Sequence, residues 1–234
     1  MNNIITINFP QGCGGHIAGR ILSSSLDVAW YNHKQNGNNP WNPYTVDPKF
    51  SRLHFNRRFS EDSNKGGVPP VLDIAEKRNR HYNKNTLVPW ASKYHPKKIL
   101  YPLHASIKST KKYFVESKHL IIIPNDMDLL TERWMRSSYY YFIDGDKPDF
   151  TYGDKYILQS KKYNVPVEEL VKKDLSKQVN EYRKNISNTD VVIEEVSELY
   201  DPNDCEMIMS RLGLRFNTER FLKVMDLVDK YTHL

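Results

Sequence analysis

Apolar positions along the chain switch between strand-like runs and helical spacing, and that alternation sets the expected architecture. Ile4-Ile5-Thr6-Ile7-Asn8-Phe9 opens as a short β-branched run of the kind that forms a buried strand. Ile17, Ile21 and Leu22 follow at i, i+4 and i+5, one face of a helix. Lys98 to His104 reads as a strand ending at His104, and Pro102 within it points to an edge position, because proline cannot donate to a ladder. Ser106 can cap a helix from Ile107 to Ser117. His119-Leu120-Ile121-Ile122-Ile123-Pro124 has the near-continuous apolar run of a parallel strand covered on both faces. Asn125 or Asp126 can cap the helix after it, whose Leu130, Trp134, Ser138 and Tyr141 fall at helical spacing. From Pro166 to Ile186, Val171, Leu175, Val179, Tyr182 and Ile186 make one stripe, supported by the i, i+4 pairs Glu168–Lys172 and Glu169–Lys173. Asp190 to Glu194 reads as a fourth strand. Asp201-Pro202 starts a helix that stops at Leu212-Gly213, and Asn217 caps a last one carrying Phe221, Val224, Met225 and Val228 inward.

Strands alternating with helices predict an α/β fold. The expected form is a mostly parallel sheet of about four to five strands with right-handed crossovers, flanked by helices in three layers. Asp27 to Tyr31 reads as a further short strand, Pro69 to Glu76 as a helix with proline in its first turn, and 144–165 as a polar, aromatic connection. Residues 32–66, rich in Asn, Pro and Gly with scattered aromatics, form an irregular insertion within a single domain spanning 1–234. They read either as a solvated excursion or as a lid over a ligand.

Composition narrows the function classes. Lys and Arg number 34 against 28 Asp and Glu, a net charge of +6 that suits an anionic ligand. The basic residues are dispersed, so a nucleic-acid partner is not expected. Two cysteines, Cys13 and Cys205, make neither a disulfide framework nor a metal spacing, which points to a reducing, cytoplasmic setting. The chain begins at once with a strand and shows no leader, and no apolar run approaches the roughly 20 residues of a membrane helix.

The chemistry concentrates between the first strand and the first helix. Four of the ten glycines, Gly12, Gly14, Gly15 and Gly19, lie within eight residues there. A strand, a glycine loop and a helix can present backbone N–H groups and a helix N-terminus to a phosphate or sulfate; the same glycines would also serve a turn that only packs a helix on a strand. Gly14 and Gly19 have Walker-loop spacing, but Arg20 and Ile21 stand where the lysine and the magnesium-binding hydroxyl belong. A magnesium-dependent nucleotide kinase is the less favoured alternative.

Phe9-Pro10-Gln11-Gly12-Cys13-Gly14-Gly15-His16-Ile17 resembles the 5′-phosphosulfate loop of sulfotransferases, Tyr/Phe-Pro-Lys-x-Gly-Thr-Thr-x-Leu. One inserted residue places Gly14 on the family glycine. Gln11 then stands at the lysine, with Gly15 and His16 at the two threonines. The turn after the third main strand resembles the family's 3′-phosphate segment, Arg-Asn-Pro-x-Asp with a serine further on. Asn125 and Asp128 match; Pro124 stands at the arginine and Glu132 at the serine, with Arg133 beside it. Glu194 to Leu199, Asp201-Pro202 and Leu212-Gly213-Leu214 resemble the family's late Tyr-Glu-Asp-Leu, Asp-Pro and Leu-Gly-Leu stretches, although the basic-glycine loop near the family's C-terminus has no counterpart.

The resemblance implies a P-loop sulfotransferase fold and a 3′-phosphoadenosine 5′-phosphosulfate donor, with no metal. Gln11, Gly12, Cys13, Gly14, Gly15, His16 and Arg20 would hold its 5′ end, and Asn125 and Arg133 its 3′ end. The acceptor would be a hydroxyl or amine of a small molecule or glycan. His104, at the carboxyl end of a predicted strand, is the first candidate for the base and His16 the second, because imidazole titrates near the working pH. Arg133 reads equally well as a solvated helix residue. A non-catalytic descendant that binds a nucleotide or glycan also fits the exchanged lysine and threonines.

Overall fold

The computed structural model describes residues 4–10, 12–28, 98–103, 106–135 and 152–232. β1 (Ile4–Asn8) lies inside a four-stranded sheet, with β2 (Ile99–Leu103) on one side and β3 (Lys118–Ile122) and β4 (Val191–Ile193) on the other. All three pairings are parallel. The registers set Thr6 against Tyr101 and His119, and Ile122 against Ile193. β1 is buried along its whole length and β3 from His119 onward, as strands covered on both faces require. β2 is the edge strand, where Pro102 costs no central ladder bond.

The chain leaves β1 for β2 and then returns past β1 to reach β3. The order therefore reverses between β1 and β3, and in open parallel sheets ligands bind in the crevice beyond that point. α1 (Gly15–Leu22) follows β1 and α2 (Ile107–Tyr113) follows β2, and the right-handed rule for parallel crossovers expects the two on opposite faces of the sheet. Between β3 and β4 come α3 (Met127–Trp134), α4 (Tyr152–Tyr163) and α5 (Val167–Lys184), with α5 packed on both α3 and α4. After β4, a 3₁₀ turn (Val196–Leu199) and α6 (Pro202–Leu212) pack together, α6 lying on β3 and β4. The last helix, α7 (Thr218–Thr232), packs on α1.

The expected α/β architecture is present, and so are its local signals. Ser106, Asp126, Asp201 and Asn217 each cap the helix they precede, and Gly213 ends α6 in the left-handed conformation. Val171, Leu175, Val179 and Tyr182 form the buried stripe of α5, while Ile186, beyond its end, is exposed. Two expectations change. The connection over 144–165 contains α4 (Tyr152–Tyr163), in which Tyr156 is buried. Tyr156 stacks edge-on against Trp134 at 5.4 Å and donates from its hydroxyl to Asp174 at 3.0 Å. Of the strand expected at Asp27–Tyr31, the described residues contain one bridge, Val28 to Lys98. The 32–66 insertion and the Pro69 helix lie outside the described residues. No helix among the described residues is long and apolar enough to cross a membrane.

Candidate functional site

The loop after β1 is a tight turn in which the Cys13 amide donates to the Pro10 carbonyl at 3.2 Å. Gly12 has φ +94° and Gly14 has φ +70°, a region that residues with a Cβ rarely occupy. Gly14 is the N-cap of α1, and no side chain caps that helix. No acidic residue lies in its first turn either. The leading amides of a helix have no acceptor within the helix, and their end carries partial positive charge. α1 therefore begins, beyond the carboxyl end of β1, as a set of donors without a capping side chain.

The glycines also answer the packing question that the sequence left open. A Cβ on Gly12 would stand 3.3 Å from the Trp134 backbone nitrogen and from Leu130 Cδ1. One on Gly14 would stand 2.9 Å from Val196 Cγ1, and one on Gly15 only 2.0–2.3 Å from the Phe9 ring. The loop is thus wedged between α3 on one side and the 3₁₀ turn on the other. Its glycines are required for that fit.

An ion pair joins the two walls of the wedge. Arg133 Nη1 of α3 donates to Glu195 Oε2, at the head of the 3₁₀ turn, at 2.7 Å. Both side chains keep contact with water, at 42% and 30% exposure. The Cys13 thiol sits between them in charge terms. Burial, and then the Glu195 carboxylate, push its pKa up, against a smaller opposing pull from Arg133. Cys205, also buried, is pushed up to about 12 by burial. Neither thiol is a nucleophile near neutral pH.

The other sequence candidates fall as follows. Asn125 lies beyond the carboxyl end of β3, next to β1 in the sheet, and accepts from Arg183 Nη2 at 3.0 Å. Arg183, near the end of α5, also donates to the Pro124 carbonyl at 3.3 Å, so α5 delivers a cation to the turn after β3. Sequence reasoning missed it, because α5 reads only as a structural helix. Arg20 lies in the last turn of α1, at the opposite end from the glycine loop. The His16 backbone opens α1, but its side chain is not described; Gln11 and His104 lie outside the described residues. No cluster of metal-ligating side chains occurs among the described residues.

Beneath the site runs a buried polar chain that the sequence did not announce. Thr110 Oγ1 donates to the Ser106 carbonyl at 3.1 Å, so its oxygen accepts from Asn8 Nδ2 at 2.8 Å. That fixes Asn8 Oδ1 toward Thr6, whose hydroxyl donates to it at 3.0 Å. The Thr6 hydroxyl has only one proton, so the 2.7 Å contact with His119 Nδ1 must have the imidazole as donor. Burial, assisted by Lys111 and opposed by Asp190, holds the His119 pKa below its ordinary value. Burial thus favours the neutral imidazole, and the order of hydrogen bonds puts a proton on Nδ1. The available signal was a threonine and an asparagine two apart in an otherwise apolar strand.

No family model and no curated protein matches the chain. Among solved structures it is similar to the crystal structure of sulfotransferase STF1 from Mycobacterium tuberculosis, at 10% identity and a TM-score of 0.44, over 100% of this chain and 77% of that one.

Proposed function

We propose that the chain is a sulfotransferase-like transferase, moving a sulfuryl group from a 3′-phosphoadenosine 5′-phosphosulfate-type donor to a hydroxyl or amine acceptor. The observation that supports this is the left-handed Gly12–Gly14 turn leading into an uncapped helix start at the switch point of a parallel sheet. In this reading the amides at the start of α1, from Gly14 through His16, hold the donor's 5′ end, with Gln11, Gly12 and Cys13 beside them. Arg133 supplies a cation at the loop, whereas Arg20, at the far end of α1, stays apart from it. Asn125 and Arg183 meet the 3′ end. The donor brings the activated sulfuryl group; the residues of the chain hold its charge and remove the acceptor's proton. His104, with His16 as second choice, takes that proton.

A non-catalytic nucleotide- or glycan-binding role is the second reading. It is favoured by the pairing of Arg133 with Glu195, which already neutralises the cation next to the loop. Calorimetry with adenosine 3′,5′-bisphosphate, compared with ATP and Mg²⁺, tests both. Binding of the bisphosphate together with turnover of the donor is the expected result. Binding without turnover selects the second reading. Binding of ATP–Mg²⁺ alone turns the reading to a kinase, and binding of neither refutes it.

A further inference from the structure

The two residues of the Arg133–Glu195 pair each stand next to a residue that touches the glycine loop. Arg133 precedes Trp134, whose backbone abuts Gly12; Glu195 precedes Val196, whose side chain abuts Gly14. The pair therefore links the two elements that flank the loop, and both of its charges are felt by Cys13 within it. Glu195 is held independently of the arginine. Its side chain accepts from the Glu198 backbone N–H, and the Glu198 carboxylate in return accepts from the Glu195 amide at 2.9 Å and the Glu194 amide at 2.6 Å. Loss of Arg133 would leave the carboxylate in place.

We propose that Glu195 is a built-in counterion of this loop, which occupies Arg133 in the empty site and gives it up to an incoming anion. The proposal rests on the anion-binding reading above and adds to it a rule of selectivity. An exposed ion pair is worth little, so the exchange is cheap. After it, Glu195 remains anchored beside the new anion and repels it. A ligand offering one anionic group gains Arg133 but keeps a carboxylate neighbour, whereas a nucleotide with further anchoring points tolerates that repulsion. Glu195 thereby acts as a specificity residue that biases the site against small free anions such as sulfate or phosphate.

The test is calorimetric titration of parent, Glu195→Gln, Arg133→Gln and the double variant with inorganic sulfate and with adenosine 3′,5′-bisphosphate, at low and moderate salt. Glutamine keeps the shape and the capping oxygen and removes the charge. Glu195→Gln is expected to tighten sulfate about five- to tenfold, and the bisphosphate by less, with the gain shrinking as salt rises. In the Arg133→Gln background the same change is expected to give a smaller gain, since the competition for the arginine is gone and only the repulsion by the anchored carboxylate remains to be relieved. A Glu195→Gln variant that binds sulfate no better than the parent overturns the proposal and leaves the anion site standing. A gain just as large without Arg133 overturns it too, since Glu195 then acts by repulsion alone and holding the arginine contributes nothing. Failure of every variant to bind either ligand overturns the anion site itself, and the proposal with it.

Discussion

Gly15→Ala is the sharpest probe of how the loop is built. In an ordinary helix this change is favourable, by up to about 1 kcal/mol. Here the added methyl would stand 2.0 Å from Phe9 Cδ1 and 2.2 Å from Cγ, where ordinary contact begins near 3.4 Å. One of the two must retreat by more than an ångström. Phe9 is 1% exposed at the end of β1, and a close-packed interior gives a buried ring little room to retreat, so the start of α1 is expected to lift from the sheet instead. Overpacking of a filled core costs about 1–3 kcal/mol, and with neither partner able to yield we expect a net loss of about 3 kcal/mol. Equilibrium urea unfolding measures it as a lower midpoint at unchanged slope. Gly213→Ala serves as the comparison, because its φ of +72° faces open space. It should lose only the left-handed backbone penalty of about 1–2 kcal/mol. On a Phe9→Ala background the clash partner is gone, and Gly15→Ala should cost nothing, a coupling visible in a double-mutant cycle. A Gly15→Ala protein as stable as the parent, or costs that simply add with Phe9→Ala, would refute the packing role.

Two further outcomes follow from single histidines. Because burial holds the His119 pKa below 6.5, its neutral form contributes stability that is fully present above about pH 6.5 and is lost as pH falls from there toward the lower folded-state value. His119→Asn keeps a donor toward Thr6 but cannot titrate, so the urea midpoint should fall less between pH 7 and pH 5 than in the parent; equal slopes would remove His119 as the cause. His104→Ala should lower turnover about 10²–10⁴-fold with nucleotide affinity unchanged, as deletion of a base predicts; loss of binding instead would place His104 among the anion's ligands.

What the sequence made legible was local. The apolar run of β3, the caps at Ser106, Asp126 and Asp201, and the Gly213 stop each follow from residues within one turn of each other. The glycine loop was equally visible, since its left-handed positions leave a compositional trace. What stayed hidden depends on partners far away in the chain. Arg133 meets Glu195, 62 residues on, and Arg183 reaches back 58 residues to Asn125. Neither carries a spacing that distinguishes it from a solvated charge on a helix. Nor did periodicity reveal α4, because a helix held by Tyr156 on Trp134 and Asp174 needs no apolar stripe.

The hydrogen-bond chain through β1 has a consequence for how the sheet finds its alignment. The isoleucines at positions 4, 5 and 7 of β1, like Leu120, Ile121 and Ile122 of its neighbour β3, are nearly interchangeable as apolar surfaces. Sliding β1 by two residues would keep every greasy side chain on its own face and give a competing structure of similar burial. The polar residues break that degeneracy. Only the native alignment puts Thr6 opposite His119 while Asn8 reaches Thr110 on α2. A two-residue slip would bring Ile4 or Asn8 against the imidazole and strand several donors and acceptors in a dry interior, at about 1–3 kcal/mol each. Thr6 and Asn8 thus work as the teeth of a key. They make one threading of an otherwise repetitive strand mechanically distinct, and so determine where the loop that begins at Phe9 emerges from the sheet.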